Sequence, residues 1–320
     1  MDQHLRLLVK VSRLYFERDM KQQDIADSLA ISQARVSRLI KEAKDRGIVR
    51  SVVVVPSGVY ADLEDQLETE LSLSQVVVVD TDQSRSIEQA LGVATADYFT
   101  STLTGDAVIG VSTWSGSLIS ALQSMRPQTK HLARSVIQMF GGVGNPEVQF
   151  EATRLTNDLA RVLGADPSFV PAPAVVGNEA TARALEDDPD VRFVAEQWSN
   201  ISVSLVGIGA LEPSALLARS GNAVTEAEMS ELRSRGAVGD VCLRFFDTAG
   251  EPIDSSFDRR VIGMSPDAIR AVPRRIGVAG GPSKVDAIKA AGLGGWISVL
   301  ITDFETARAL TRSNRPGKLT

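Results

Sequence analysis

Residues 32–41 read SQARVSRLIK. At 3.6 residues per turn, Val36, Leu39, Ile40 and Ala43 share one face, and Ser32, Gln33, Arg35, Ser37, Arg38 and Lys41 share the other. Gln and Arg can each bond two atoms of a base edge at once, while Ser, Arg and Lys can hold phosphates. That is chemistry for a nucleic acid, and Gln22 and Gln23 at the start of the preceding helix join the same set.

Three later stretches suit a small hydroxylated or anionic ligand. In VIGVSTWSGSL, the residues Ser112, Thr113, Ser115, Gly116 and Ser117 follow an apolar run and open a helix, where free N–H groups and hydroxyls favour an anion. Trp114, inside that stretch, offers a ring for stacking or for packing. In MFGGVGNPEVQ, the glycines Gly141, Gly142 and Gly144 allow close approach to the backbone. In VAGGPSKVDAIKAAG, Pro282 fits the first turn of a helix and puts Lys284 in that turn. A cation there opposes the helix dipole at ~0.3–1 kcal/mol, a conflict that a bound anion removes and that Asp286 partly offsets. Asp240 could accept hydrogen bonds from sugar hydroxyls or simply begin a strand. None of these glycine loops has the spacing of a Walker A or dinucleotide fingerprint.

Composition narrows the classes. The chain has 320 residues, enough for one large domain and a smaller one. A single cysteine, Cys242, excludes an internal disulfide and a multi-cysteine zinc site, and suits a core position. Two histidines, His4 and His131, are far apart and suggest no metal site. No apolar run approaches the ~18 residues of a membrane helix, and the N-terminus lacks a signal-peptide pattern, so a cytoplasmic protein is expected. The net charge of −6 hides a split, with residues 1–50 at +4 and the rest at −10. A small basic head on a large acidic body fits a nucleic-acid reader joined to a different module.

The elements that must position these residues are legible in outline. Leu5, Leu8, Val9, Tyr15 and Phe16 predict an amphipathic first helix. Ile25, Ala26 and Leu29 predict a second, short helix, and Ser32 and Gly47 bound a third. Two short helices joined by about three residues form a helix-turn-helix unit, although Ala30 sits where glycine is common. A strand over 48–55 and the break at Pro56–Gly58 divide a head, 1–55, from a body, 56–320. Leu63, Leu67 and Leu71 mark a helix whose acidic residues face solvent. The run Glu186–Asp190 reads as a solvated turn. Beyond Leu73, apolar strands (Val76–Asp80, Ala107–Ser112, Ser135–Phe140, Ile201–Gly209, Asp240–Phe246, Arg275–Gly280, Trp296–Thr302) alternate with helices. The fold class is therefore α/β: a helix-turn-helix head and a doubly wound, mostly parallel sheet covered on both faces, with ligands at the strand C-termini.

In combination, QQDIADSLAISQARVSRLIKEAKDRGIV, VIGVSTWSGSL, FGGVGNPEVQ, FVPAPAVV, GAVGDVCLRFFD, VAGGPSKVDAIKAA and GGWISVLITD resemble the SorC family of sugar-responsive transcriptional regulators over nearly the whole chain. The resemblance implies a DNA-binding head and an effector domain similar to glucosamine-6-phosphate deaminase and ribose-5-phosphate isomerase. It further implies an operator affinity changed by a sugar, polyol or sugar phosphate, and a homo-oligomer, dimeric or tetrameric. By motif, the effector pocket takes Thr113, Trp114, Ser115, Gly116 and Ser117, with Gly141, Gly142, Gln149, Glu151, Asp240 and Lys284. Some relatives form an imine through a pocket lysine, but residues 137–149 contain none. Phe140 stands where some relatives place a basic residue, which argues against a second phosphate. The implied function needs no cofactor and no catalysis. The competing expectation is a sugar-phosphate isomerase or deaminase with a fused head, disfavoured because the pocket candidates include no histidine and no general-base motif.

Overall fold

A computed structural model of the chain describes residues 3–49, 58–81, 85–113, 115–126, 131–142, 146–211 and 224–312. The predicted strand over 48–55 falls largely outside these residues, as do Trp114 and Gly144. The chain forms two compact units, Met1–Pro56 and Ser57–Thr320.

The first unit holds α1 (Gln3–Phe16), α2 (Gln22–Leu29) and α3 (Gln33–Asp45). Leu8, Val11, Ile25, Ala26, Val36, Leu39, Ile40 and Ala43 form its buried core. At the start of α3, Ser32 Oγ accepts the Arg35 N–H, at 3.3 Å. At its end, Gly47 takes φ +69° while the Gly47 and Ile48 N–H groups donate to Lys44 O and Ala43 O, a Schellman closure. Ala30 closes α2 in the left-handed region, φ 51°.

The second unit contains a seven-stranded, all-parallel sheet in the order β1-β10-β9-β5-β2-β3-β4. Its strands are β1 (Gln75–Val79), β2 (Val108–Val111), β3 (Ser135–Gln138), β4 (Asp166–Ser168), β5 (Val203–Gly207), β9 (Arg274–Val278) and β10 (Val299–Asp303). Alternate residues serve opposite cores: Val299 and Ile301 join one cluster and Leu300 the other. The helices are α4 (Ala61–Leu71), α5 (Ile87–Thr102), α6 (Gly116–Ser124), α7 (Pro146–Leu163), α8 (Glu179–Glu186), α9 (Pro189–Gln197), α10 (Glu226–Ser234), α11 (Pro266–Ala271), α12 (Val285–Leu293) and α13 (Phe304–Arg312). After β2 the chain moves outward to β3 and β4; after β5 it moves the other way, to β9 and β10. The sheet's winding therefore reverses between β2 and β5, where a crevice opens at the strand C-termini.

Three readings of the sequence need correction. The run Asp240–Phe246 is not one strand. It spans a hairpin of β7 (Ala237–Val241) and β8 (Arg244–Asp247), which with β6 (Gly209–Ala210) makes a small antiparallel sheet. The two turn residues, Cys242 and Leu243, both have positive φ, 55° and 63°. The run at Glu186–Asp190 is a helix start rather than a bare turn: Asp188 Oδ1 accepts the Asp190 N–H at 2.9 Å, and Pro189 is the first residue of α9. Lys284 is the last residue of a 3-10 turn, Pro282–Lys284, and α12 begins after it.

Candidate functional site

A cavity of about 430 Å³ lies at the C-terminal ends of β2, β5 and β9. Five segments build its wall. The first two turns of α5 give Ile87, Glu88 and Leu91; the loop after β2 and the start of α6 give Ser112, Ser115, Gly116 and Ser117. The exit of β5 gives Gly207, Ile208, Gly209 and Ala210. The hairpin gives Asp240, Cys242 and Leu243, and the loop after β9 gives Gly280, Ser283 and Lys284. Phe140 completes the lining. All the β-to-α junctions open on one edge of a parallel sheet, which brings residues from positions 87 to 284 into one site.

The walls are tied together by polar contacts. Gly207 N–H donates to Ser112 Oγ at 3.0 Å, fastening β5 to the β2 loop. Gly281 N–H donates to Asp303 Oδ2 at 2.9 Å and to Thr306 Oγ1 at 2.7 Å, so the residue that caps α13 also holds the lysine loop. Gly209 is required by close approach: a Cβ built on it falls 1.9 Å from Asp240 Oδ1.

Asp240 carries the site's most perturbed carboxylate. Burial pushes its pKa up to about 6, against the Leu243 N–H that donates to Oδ2 at 3.0 Å and the nearby Lys284 cation. Burial likewise lowers the Lys284 pKa, while Asp240 and Glu88 oppose that shift. Burial pushes the Cys242 thiol up, leaving it inert as a nucleophile. The cavity thus offers serine hydroxyls, one ammonium, two carboxylates and an apolar wall. Such a set orients a small polyhydroxylated ligand.

The structure brings together five of the sequence-derived pocket residues: Ser115, Gly116, Ser117, Asp240 and Lys284. Thr113 is buried but does not line the cavity. Nor do Gly141 and Gly142, whose backbone lies against another segment. Gly141 N–H donates to Ile262 O at 2.8 Å, and a Cβ built on Gly141 would fall 2.4 Å from Pro173 O. Their glycines serve packing. Gln149 and Glu151 lie on α7 with side chains outside the described residues, as does the whole of Trp114. Sequence reasoning missed Glu88 and Gly209 as lining, while Phe140, which stands where some relatives place a basic residue, does line the cavity. For Glu88 a signal existed: Ser86 and Gln89 form a capping box that starts α5 and puts Glu88 in a first turn on the ligand-binding edge.

In the first unit, Gln23, Ser32, Gln33, Arg35, Ser37, Arg38 and Lys41 are exposed and Gln22 is half-buried. Gln23 Nε2 donates to Asp27 Oδ1 at 3.0 Å, and Arg38 Nε to Ala34 O at 3.3 Å. The buried stripe of α3 is the predicted one, and the residues of its opposite face are exposed. Among the described residues no cluster of three or more His, Cys, Asp or Glu could hold a metal, and no helix is long and apolar enough to cross a membrane.

Comparison with known proteins places this architecture. Residues 57–312 match the family described as "Putative sugar-binding domain". The chain is 33% identical over 308 residues to the deoxyribonucleoside regulator of Bacillus subtilis (strain 168), covering 95% of this chain and 97% of that one. It is 28% identical to the sorbitol operon regulator of Klebsiella pneumoniae, covering 96% and 98%. The full-length crystal structure of that regulator, SorC, superposes with a TM-score of 0.72 over 97% of this chain and 99% of that one. These relatives are named as regulators. The chain belongs to the SorC family of sugar-binding transcriptional regulators.

Proposed function

We propose that α3 reads operator DNA through Gln33, Arg35, Ser37, Arg38 and Lys41, and that an effector in the cavity sets the strength of that binding. Ser32, at the N-cap of α3, and Gln22 and Gln23, at the start of α2, hold the phosphate backbone in this reading. The effector is a sugar, polyol or sugar phosphate, and it binds two arrangements of the protein unequally; a coupling of ~1–3 kcal/mol is typical of such control. The protein acts in the cytoplasm as a symmetric homo-oligomer, a dimer or tetramer, on a pseudo-palindromic site.

One observation carries the effector reading. Lys284, Asp240, Ser115 and Ser117 come from three different segments yet face one cavity at the winding reversal of the sheet. An ammonium, a carboxylate and two hydroxyls placed together can donate to and accept from several hydroxyl groups of one ligand at once. The test is a thermal-shift screen of free and phosphorylated sugars and polyols, including sorbitol and deoxyribose 5-phosphate, followed by operator-fragment binding with each hit. A ligand that raises the melting temperature with concentration and also changes operator affinity is expected. A folded protein that binds DNA but responds to nothing in a broad panel refutes the effector reading.

A further inference from the structure

Lys284 is the site's candidate for an anion, yet it does not stand alone. Glu88, the second residue of α5, reaches the first residue of α6. A Cβ built on Gly116 would lie 2.9 Å from Glu88 Oε1 and 3.1 Å from Oε2. Both carboxylate oxygens therefore sit against the start of a nine-residue helix, where peptide N–H groups and the dipole favour negative charge. Glu88 also lies near enough to Lys284 to stabilise its ammonium form. A tethered carboxylate thus stands beside both features that would attract a phosphate.

The surroundings say what this does. The charged side chains lining the cavity among the described residues are Glu88, Asp240 and Lys284. A phosphate monoester carries about −1.5 to −2 charges at neutral pH. Placed against Lys284 it meets the carboxylates of Glu88 and Asp240, both close enough to act on that ammonium, and like charges repel strongly in a partly dry site. An uncharged polyol meets no such repulsion and gains acceptors for its hydroxyls. Glu88 is exposed and makes no ion pair or hydrogen bond among the described residues, so its charge is not consumed by the fold.

We propose that Glu88 is a specificity residue, a built-in counter-anion that screens Lys284 and the α6 N-terminus and so biases the cavity toward uncharged sugars and polyols over their phosphate esters. The consequence is selective. Free phosphate ions cannot load the site, and a phosphorylated sugar binds only by displacing Glu88 at a cost that its hydroxyl contacts must offset. The inference rests on the reading of the cavity as the effector site.

The test compares wild type, Glu88→Gln and Glu88→Asp. Calorimetry and thermal shift are run with inorganic phosphate, sorbitol and sorbitol 6-phosphate. Glu88→Gln keeps size and polarity and removes only the charge. It should tighten inorganic phosphate and sorbitol 6-phosphate at least tenfold and leave sorbitol within threefold. Glu88→Asp should keep the wild-type preference. Unchanged phosphate affinity in Glu88→Gln, or a loss confined to sorbitol, overturns the charge-screen role, the latter by making Glu88 a direct hydroxyl acceptor. If wild type and both variants are folded and bind none of the three probes, and a broad sugar panel also fails, the effector reading itself falls.

Discussion

Replacing Asp240 with Asn isolates the cost of keeping that carboxylate in the cavity wall. Its pKa rises from an ordinary 3.8 to about 6 because burial outweighs the Leu243 N–H and Lys284. A raised acid pKa means that the folded state holds the proton more tightly than the unfolded chain. Stability from this group is fully present below about pH 4 and is lost as the pH rises through about 6. Over the whole window the loss amounts to about 3 kcal/mol, at 1.36 kcal/mol per pH unit. That is an upper bound, because one side of the carboxylate opens on the cavity. Asn resembles the protonated acid and still offers an oxygen to Leu243 N–H, so it removes the dependence. Between pH 7.5 and 5.0, linkage gives the wild type about 1.4 kcal/mol from Asp240 alone, and Asp240→Asn gains nothing there from position 240. Urea unfolding at both pH values, followed by tryptophan emission, measures the difference. Other carboxylates titrate alike in the two proteins and cancel. Asp240→Asn should be the more stable at pH 7.5, with its advantage falling by about 1.4 kcal/mol at pH 5.0. An advantage equal at both pH values, or none at either, refutes the buried-charge argument.

Other substitutions test separate parts of the structure. Ala30→Gly should stabilise the head by about 1 kcal/mol, because Ala30 is exposed and held at φ 51°, which costs an L-residue roughly 1–2 kcal/mol; thermal unfolding of the full chain measures it. Arg35→Ala should weaken operator binding and lower the slope of log affinity against log salt by about 1 if Arg35 holds a phosphate, or relax sequence preference at one base pair by about 1–3 kcal/mol if it reads a base edge. Lys284→Ala should move the Asp240 titration above 6, since Lys284 is one of the two influences holding it down, and carboxyl ¹³C shifts would show it. Gly209→Ala should abolish the effector response without changing operator affinity in its absence, because the new methyl collides with Asp240 Oδ1.

The core of the head was legible where one periodic signal carries it, in α3, but of the residues that predict α1 only Leu8 is buried, while Leu5, Val9 and Phe16 are exposed and Val11 takes the core position. Val36, Leu39, Ile40 and Ala43 are the buried residues of α3, and Ser32 and Gly47 close its ends as their types require. The parallel sheet was legible for a similar reason: strands covered on both faces read as continuous apolar runs. α9 escaped notice because its Asp188–Pro189 start reads as a turn, and two other missed elements are short. β4 is three residues at the sheet edge and contains Pro167, and α11 is a six-residue helix with Pro266 in its first turn. Neither is long enough to show a period. Glycine was an ambiguous sign. Gly141 and Gly209 look alike in sequence, yet one lets two backbones pack and the other makes room for a carboxylate. Only the partner distinguishes them, and the partners lie 32 and 31 positions away, at Pro173 and Asp240.

The hairpin turn beside the cavity was hidden because it breaks the usual chemistry of such turns. Two consecutive left-handed residues normally mean Asn-Gly or Gly-Gly, and here they are Cys242 and Leu243. Each costs roughly 1–2 kcal/mol in that conformation, so the surroundings must supply the offset. Both side chains are buried in the core cluster. Arg244, the next residue, donates from its guanidinium to Met264 O, Asp258, Val261 O and Gly263 O and fixes the start of β8. On the other side, Asp240 Oδ2 accepts the Leu243 N–H and closes the turn from within. The same carboxylate is thus a structural cap through one oxygen and a cavity wall through the other, beside Gly209. This double duty explains why burial of the charge is tolerated at all. It also means that substitutions at 240 report on the fold and the ligand together, as does Gly209→Ala, whose new methyl meets the same carboxylate from the paired strand.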